Sequence, residues 1–359
     1  MSRKILILGA SYGSLLGTKL IMAGHNVTLV CRNATAELIN AKGTEVRIKL
    51  KGEDTHRVIR SDDQPGQLDA ATPQTVNPAD YDLVALAMQE PQYASPEIRM
   101  LMRRIARVEV PCLSIMNMPP LPYLKRIAGL DTEALEPAYT DASIWDLFKP
   151  GLMSLCSPDP QAFRPPEEAN NVLHVGLPTN FKAAGFENPD HTMMLARLAK
   201  DIDDVRLNGL EVPVKLRVHR SLFTPLAKWA MLVAGNYRCL TLGGQRAISE
   251  AVHGEPEVTK SVYGFVNAMT RKLGALDQDH VPFDKYASAA TSLVKPSSAA
   301  RAVAAGATRI ERVDRLVQLI GEQIGMRHPV ADAVVRVVNA RLLRNEEALI
   351  AAADERNAA

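Results

Sequence analysis

The first thirty residues alternate between apolar runs and a glycine-rich turn. The run Lys4–Leu8 is apolar after its first residue and stops at Gly9, which is typical of a strand buried on both faces of a parallel sheet. A segment with helical spacing follows as far as Ala23, and residues 26–31 form a second apolar run. Strand, turn, helix and strand in this order predict a βαβ unit. Its right-handed crossover places the N-terminus of the helix at the carboxyl edge of the sheet, where free N–H groups favour a pyrophosphate.

The turn between the first strand and the helix carries the candidate residues for binding a dinucleotide. They are Gly9, Ser11, Tyr12, Gly13 and Ser14. The usual pattern is Gly-x-Gly-x-x-Gly, whereas here a serine stands where the second glycine belongs and the loop is one residue short. The first glycine can still make the tight turn. The alternative interpretation is that the glycines only mark the ends of a helix that packs on a sheet and bind no ligand.

Arg32 directly follows the second predicted strand. An NAD-binding chain carries an acidic residue near this position, where it accepts a hydrogen bond from the ribose 2′-OH. An arginine suits a 2′-phosphate instead, so the sequence predicts NADP as the cofactor. A solvated loop arginine is the alternative interpretation.

Further apolar runs extend the predicted sheet, and one of them, Cys112–Met116, delivers Asn117 at its carboxyl end. Ligands of open α/β sheets bind beyond the carboxyl ends of the strands, so Asn117 is a candidate contact. Residues 119–166 contain nine of the 23 prolines, and this density predicts an irregular segment without long regular elements.

From about residue 218 the pattern changes to long stretches of helical periodicity rich in alanine, leucine and valine. The fold class that we predict is therefore an α/β N-terminal domain with a Rossmann-type doubly wound sheet, followed by an all-α C-terminal domain. The boundaries are 1–217 for the NADP-binding domain, including the proline-rich insertion, and 218–359 for the helical domain. The predicted helices of the second domain are 222–232, 258–273, 286–294, 307–324 and 330–353.

Composition narrows the class of protein. With 42 basic and 40 acidic side chains the net charge is +2, which provides no electrostatic footprint for nucleic acid or an anionic membrane. The four cysteines form no Cys-x-x-Cys pair, so we expect neither a metal site nor a disulfide framework. No run reaches the 18 apolar residues of a membrane span, and we expect a cytoplasmic protein.

Lys228 is the candidate catalytic residue of the helical domain. It lies in an apolar segment, and Asn236 follows eight residues later. In an α-helix this spacing turns the side chain by about 80°, so both residues can face one side. A partly desolvated amine is a better proton donor near neutrality. The alternative is that the lysine snorkels to solvent beside Trp229.

As a set, these residues resemble the ketopantoate reductase family, whose members are NADPH-dependent 2-oxo-acid reductases with a Rossmann domain and a helical C-terminal domain like that of 6-phosphogluconate dehydrogenase. Residues 7–17 and 23–32 are similar to the opening of the family almost residue by residue. The run ending in Met88 matches a strand that the family follows with a cofactor-side lysine, but this chain has Gln89. Asn117 matches an asparagine that contacts the nicotinamide ribose and the substrate.

The resemblance also assigns roles in the C-terminal part. Lys228 matches the catalytic lysine and Asn236 the second of two asparagines after it, while Leu232 replaces the first. Ser297 and Ser298 match a substrate-binding segment, although each could equally cap a helix. Across a one-residue gap, Arg309 stands where a glutamate binds the hydroxyl group of the substrate.

The resemblance implies NADPH-dependent reduction of a 2-oxo acid to a 2-hydroxy acid, with Lys228 as general acid. Because Gln89, Leu232 and Arg309 depart from the family pattern, we expect the substrate to be a small-molecule oxo acid other than ketopantoate, such as a dicarboxylic or bulkier one. One alternative is an opine-type dehydrogenase that reduces an imine, since the glycine loop has its spacing, but neither His219 nor His253 has a matching context. Another is a non-catalytic NADP sensor. The sequence leaves the oligomeric state open, and a homodimer is compatible with it.

Overall fold

The apolar runs of the N-terminal part form neighbouring strands of one eight-stranded sheet. The computed structural model describes residues 2–358, with side chains as far as Arg356. These residues divide into two units. The first comprises the chain up to Arg126 together with Ser143–Pro225, and the second comprises Ile127–Ala142 and the residues from Leu226 onward.

The first unit holds most of the strands. They are β1 (Lys4–Leu8), β2 (Asn26–Val30), β3 (Glu45–Ile48), β4 (Arg57–Arg60), β5 (Leu68–Ala71), β6 (Leu83–Leu86), β7 (Cys112–Ile115), β8 (Met153–Ser157), β9 (Gln161–Phe163), β10 (Val172–Leu177), β11 (Phe181–Ala184), β12 (Arg206–Leu207), β13 (Leu210–Glu211) and β14 (Leu216–His219). Its helices are α1 (Tyr12–Met22), α2 (Asn33–Lys42), α3 (Pro96–Val108), α4 (Leu121–Leu124) and α5 (Pro189–Asp203).

The large sheet has the strand order β14-β11-β8-β7-β6-β1-β2-β5. Neighbouring strands run parallel except β8 and β11, which are antiparallel. Six of these strands, from β5 through β1 to β8, reproduce the dinucleotide-binding order 3-2-1-4-5-6. The order reverses between β1 and β6, and such a switch point is where a doubly wound sheet binds its ligand. The predicted α/β class is confirmed.

A smaller sheet of four strands has the order β4-β3-β10-β9. β3 and β4 pair antiparallel, and β3 also pairs parallel to β10. The last strand, β9, pairs antiparallel to β10 and ends at Phe163, inside the proline-rich segment. The same segment also contributes β8 to the large sheet, and the proline density gave no sign of this strand.

The second unit is helical apart from the short hairpin β15 (Leu240–Thr241) and β16 (Gly244–Gln245). Its α-helices are α6 (Lys228–Met231), α7 (Ile248–His253), α8 (Pro256–Lys272), α9 (Phe283–Ala290), α10 (Ser298–Ala304), α11 (Val313–Gln323) and α12 (Pro329–Ala358). A π-helix spans Leu232–Asn236. The 3-10 turns of the described chain are Ser61–Asp63, Pro78–Asp80, Glu90–Ala94, Glu133–Ala138, Ala142–Leu147, Pro150–Leu152, Pro225–Ala227, Tyr237–Cys239 and Asp277–Asp279.

The structure differs from the sequence prediction in the second unit. The segment 127–142, expected in the N-terminal domain, packs with the helices, because Asp131 and Gln323 exchange hydrogen bonds of 3.2 and 2.8 Å between side-chain amide and backbone. The predicted helix 222–232 is not one α-helix but a 3-10 turn, α6 and the start of the π-helix. The predicted helix 307–324 begins only at Val313.

Helix α1 is buried along its length and carries one charged side chain into that interior. Lys19 is 2% exposed, and its Nζ donates a hydrogen bond of 3.1 Å to the carbonyl of Val212. Burial, together with the smaller effect of the positive charge of Lys215, lowers the pKa of Lys19 to about 7. Because the unfolded chain restores the ordinary pKa of 10.5, folding is linked to proton release between these two values.

We expect the variant Lys19→Met to have a flatter dependence of stability on pH. Between pH 7 and 10 the unfolded wild-type chain binds one more proton at Lys19 than the folded chain, so its free energy of unfolding gains a contribution as the pH rises. The variant lacks this contribution, and its advantage over the wild type should be largest near pH 6 and smallest near pH 10.

Urea unfolding at several pH values measures this difference. Lys42→Met, which alters an exposed lysine in the last turn of α2, serves as the control and should keep a constant difference from the wild type. A difference for Lys19→Met that does not vary with pH would contradict the assignment of a neutral buried amine.

Candidate active site

Gly9 brings three strand ends together at the switch point of the large sheet. Its N–H donates a hydrogen bond of 3.0 Å to the carbonyl of Val30 at the end of β2. Its φ is +103°, and a Cβ here would lie 2.7 Å from the carbonyl oxygen of Ala87 and 2.8 Å from Cγ of Met88, just beyond β6. Only glycine fits this conformation and this contact. The chain therefore turns tightly where a dinucleotide would cross the sheet.

The next two glycines allow helix α1 to pack against the sheet. A Cβ at Gly13 would lie 2.7 Å from Cγ2 of Ile7, and one at Gly17 would lie 3.3 Å from Cγ1 of Val27. Close packing positions the N-terminus of α1 at the carboxyl edge of β1. Without side chains at these glycines, the turn leaves a space at the end of β1 that fits the phosphates of a dinucleotide. A Cβ at Gly9 or Gly13 would clash with its neighbours.

The remaining loop residues leave that helix N-terminus open to an anion. Ser11 precedes α1 without a capping hydrogen bond from its side chain, and Tyr12 is the first helical residue, partly exposed. Ser14 is buried, and its hydroxyl donates to the carbonyl of Ala10. No acidic residue lies in the first turn. The first turn of α1 therefore contains no carboxylate that would compete with a bound anion for the helix dipole.

Met88, Gln89 and Asn117 follow β6 and β7 at the same edge. The N–H of Met88 donates a hydrogen bond of 3.2 Å to the hydroxyl of Tyr93, and the N–H of Gln89 donates one of 2.9 Å to Oε1 of Gln92. Gln89 is exposed, and Asn117 is partly exposed between two buried methionines. Parallel strands end at one edge, so the structure brings together the predicted cofactor residues of the first unit.

Two arginines lie near this edge, and only one of them was predicted. Arg32 follows β2, precedes α2 and is exposed. Arg164 follows β9, and its Nη2 donates a hydrogen bond of 2.6 Å to the carbonyl of Ala10 in the glycine loop. Burial lowers the pKa of Arg164, the Cys31 thiol raises it and the charge of Arg32 lowers it. Arg164 lies in the proline-rich segment, and no local pattern points to it.

In the second unit, Lys228 and Asn236 lie on one irregular helical segment. Lys228 is the first residue of α6 and partly buried, while Asn236 ends the π-helix and is also partly exposed. A π-turn changes the angle between residues on either side of it, so the 80° expected for an unbroken α-helix does not apply. Leu232 is 5% exposed inside this turn.

Gly235 and Tyr286 explain why the π-turn forms here. The i→i+5 bond from the N–H of Tyr237 to the carbonyl of Leu232 marks the turn. The Tyr286 hydroxyl donates a hydrogen bond of 3.2 Å to the carbonyl of Met231. A Cβ at Gly235 would overlap that hydroxyl. Burial raises the pKa of Tyr286, which keeps its proton as a donor. π-turns recur at functional sites, and this one lies between the two predicted site residues.

Ser297 supports the end of the same turn. The residue is 2% exposed. Its hydroxyl donates a hydrogen bond of 2.7 Å to the carbonyl of Asn236 and accepts one of 3.2 Å from the N–H of Ala300. Ser297 is therefore the N-cap of α10, one of the two interpretations that the sequence left open. Ser298 is the first residue of that helix and is exposed.

Arg309 lies outside any helix, on the segment between α10 and α11, and is exposed. That segment is held by Tyr237, whose hydroxyl donates to the carbonyl of Glu311 and accepts 3.1 Å from the N–H of Val313. This bond satisfies a donor at the start of α11, which explains why the helix begins late.

Both histidines considered for an opine-type dehydrogenase lie at the ends of regular elements. His219 ends β14, and Nε2 of His253 at the end of α7 lies 3.3 Å from the hydroxyl of Thr291. Among residues 2–358, no three His, Cys, Asp or Glu side chains are grouped to hold a metal ion. The described helices include none with the combination of length and apolar character that crossing a bilayer requires.

Residues 5–108 match the model of the family described as Ketopantoate reductase PanE/ApbA. The resemblance to the ketopantoate reductase family is confirmed. The match covers β1 to α3, which includes the glycine loop and Arg32. Among curated proteins, none matches this sequence significantly.

Solved structures of similar fold cover nearly the whole chain. The 2-dehydropantoate 2-reductase from Methylococcus capsulatus has a TM-score of 0.64 at 15% identity, over 95% of this chain and 97% of its own. D-Mandelate dehydrogenase, in a ternary structure with NADH and anilino(oxo)acetate, has a TM-score of 0.63 at 14% identity, over 96% and 99%. A dimeric ketopantoate reductase from Staphylococcus aureus has a TM-score of 0.59 at 10% identity, over 95% and 99%. At these identities the likeness shows the shared fold.

The contact between Gly235 and Tyr286 leads to a prediction about stability. Gly235→Ala places a methyl group against the Tyr286 hydroxyl, and Tyr286→Phe leaves the carbonyl of Met231 without that donor. Each change should lower the free energy of unfolding by about 1–3 kcal/mol. The double variant should lose less than the sum of the two, because removing the hydroxyl also removes the clash.

Urea unfolding of the four proteins measures the coupling. Tyr263→Phe is the matched control, because Tyr263 stacks on Tyr286 and donates 2.7 Å to the carbonyl of Val281, away from the π-turn. It should combine additively with Gly235→Ala. Additive losses for Gly235 and Tyr286 would show that the two do not share a contact.

Proposed function

We propose that this chain reduces the carbonyl group of a 2-oxo acid to a hydroxyl group with NADPH as the reductant. The observation that carries the proposal is the glycine cradle at the switch point between β1 and β6, with an arginine instead of a carboxylate after β2. The neighbour D-mandelate dehydrogenase was solved with NADH and anilino(oxo)acetate, a compound with an oxo group beside a carboxylate. This neighbour supports a nicotinamide cofactor and an oxo-acid substrate, whereas the choice of NADPH rests on Arg32.

When bound, NADPH supplies the hydride that reduces the carbonyl carbon. The residues of the first unit bind and orient. Gly9 and Gly13 let the backbone approach the pyrophosphate, and the N-terminus of α1 offers N–H groups to it. Arg32 binds the 2′-phosphate, while Met88 and Gln89 line the cofactor and Asn117 orients the nicotinamide ribose and the substrate.

Lys228 is proposed to provide the proton. As an ammonium group it donates a hydrogen bond to the carbonyl oxygen, stabilises the negative charge that develops there and then transfers the proton. Its partial burial at the start of α6, beside buried Trp229 and Ala230, limits the water that competes for this bond. Asn236, across the π-turn, orients the substrate.

The substrate is proposed to be an oxo acid other than ketopantoate. Ser298 is exposed and holds the carboxylate, whereas the Ser297 hydroxyl already makes two hydrogen bonds and contributes by fixing the backbone of Asn236. The exposed guanidinium of Arg309 favours a second anionic group, such as the far carboxylate of a dicarboxylic oxo acid.

Replacing the proposed proton donor tests the mechanism. Lys228→Ala should lower kcat by about 10²-fold or more, since a positioned general acid acts in the transition state. The affinity for NADPH should stay near that of the wild type, because the cofactor residues belong to the first unit. NADPH oxidation and a separate binding titration measure the two quantities.

Lys260→Ala is the matched control, since it removes an exposed lysine of α8 in the same unit. It should keep the kcat of the wild type. A folded Lys228→Ala protein with unchanged kcat would eliminate Lys228 as the general acid.

Arg309→Gln tests the substrate class. The variant should raise KM for a dicarboxylic oxo acid by about 10-fold and change KM for a monocarboxylic one by less than about 3-fold, because only the former offers a second carboxylate. Arg336→Gln, an exposed arginine of α12, is the control and should change neither. Equal effects of Arg309→Gln on both substrate classes would remove Arg309 from the substrate site.

A further inference from the structure

Arg164 is a charged side chain whose surroundings do not explain its charge. Its one described hydrogen bond runs from Nη2 to the carbonyl of Ala10 at 2.6 Å. No carboxylate of the described chain lies within ion-pair distance of it, and the charged or titratable groups that act on it are the Cys31 thiol and a second cation, Arg32. A guanidinium has five N–H donors, so most of its hydrogen-bonding capacity is not used by the Ala10 carbonyl.

A structural link between the small sheet and the glycine loop would not need this charge. A neutral amide could donate the same bond to Ala10 without the cost of partly burying a cation next to a second cation. An anion that contacts both guanidinium groups would offset this cost. The described side chains offer none, so the geometry implies an anionic ligand.

The place of this pair within the fold indicates which anion. Arg32 directly precedes α2, and Cys31 directly precedes Arg32. The charges of both Arg32 and Arg164 act on the Cys31 thiol, so both arginines lie near the end of β2. The end of β2 is where a doubly wound sheet meets the ribose 2′ position of a dinucleotide. Helix α2 has ten residues and none in its first turn is acidic, so its dipole adds to the attraction.

We propose that Arg164 is a second specificity-determining residue for the cofactor, holding the 2′-phosphate of NADP together with Arg32. Arg164 comes to this site from β9, through the pairing of β9 with β10 and of β10 with β3. The small sheet thus contributes to cofactor selection by carrying a guanidinium to the glycine loop. The inference rests on the proposed use of NADPH.

Calorimetric titration with adenosine 2′,5′-bisphosphate and with 5′-AMP tests the subsite without any turnover, because the two probes differ by the 2′-phosphate alone. Arg164→Gln removes the charge and keeps an amide donor for Ala10. This variant should lower the affinity for the bisphosphate by about 10- to 100-fold and the affinity for 5′-AMP by less than about 3-fold. NADP⁺ and NAD⁺ should show the same contrast.

Two further variants complete the test. In Arg32→Ala/Arg164→Gln the losses for the bisphosphate should not be additive, because both side chains contact one phosphate. Arg107→Gln removes the same charge at the last turn of α3, the opposite edge of the sheet, and should leave both affinities unchanged.

The outcomes separate the alternatives. Equal losses for the bisphosphate and 5′-AMP, or for NADP⁺ and NAD⁺, would place Arg164 at the 5′-phosphates and overturn the proposal, as would unchanged affinities. If Arg164→Gln does not fold, Arg164→Lys decides. Its single ammonium cannot serve both Ala10 and a phosphate, so the bisphosphate should bind about 3- to 10-fold more weakly, and wild-type affinity would overturn the proposal.

This test is independent of the proposed reaction. A wild-type protein that binds the bisphosphate far more tightly than 5′-AMP but turns over no oxo acid would refute the proposed function and keep the role of Arg164. One that reduces oxo acids equally well with NADH and NADPH would refute the role of Arg164 and keep the reaction.

Discussion

The close approach of the backbone at Gly9 to the end of β6 is the constraint on which the first unit depends. The turn has no room for a Cβ beside the carbonyl of Ala87, and it needs a positive φ that other residues rarely adopt. With that turn in place, α1 starts directly at the carboxyl edge of β1 and its N-terminal N–H groups point to the switch point. The glycine loop is therefore the condition for any dinucleotide to bind.

The second unit depends on a comparable contact. Gly235 gives room to the hydroxyl of Tyr286, which provides a donor for the Met231 carbonyl at the start of the π-turn. Ser297 then holds the carbonyl of Asn236 at its other end. In both units a missing side chain lets a polar group approach the backbone, and the proposed functional residues follow directly in the chain.

The features that the sequence predicts are those that depend on neighbouring residues. The βαβ unit and its loop follow from the spacing of Gly9 and Gly13 within a short segment, and the hydrophobic periodicity identifies most of the later helices. The π-turn is different, because it depends on Tyr286, which lies 55 residues beyond Met231. A helical pattern around Lys228 cannot reveal it.

Arg164 shows the same limit in the first unit. Its contact with Ala10 spans 154 residues and exists only because β9 joins the small sheet. Prolines around it indicate irregular chain, and nothing local connects it with the glycine loop. The helix 307–324 was predicted too long for a similar reason, since Tyr237 binds the backbone at Glu311 and Val313 from a distant segment.

The central claim is that this chain transfers a hydride from NADPH to the carbonyl carbon of a 2-oxo acid. The most direct measurement uses NADPH deuterated at C4 of the nicotinamide, in separate reactions with each of the two stereoisomers, and a panel of monocarboxylic and dicarboxylic 2-oxo acids. Mass spectrometry then determines the label in the product. The account predicts a 2-hydroxy acid with one deuterium on C2 from one of the two stereoisomers. Tight binding of NADPH without label in any hydroxy acid would contradict it and favour a non-catalytic cofactor sensor.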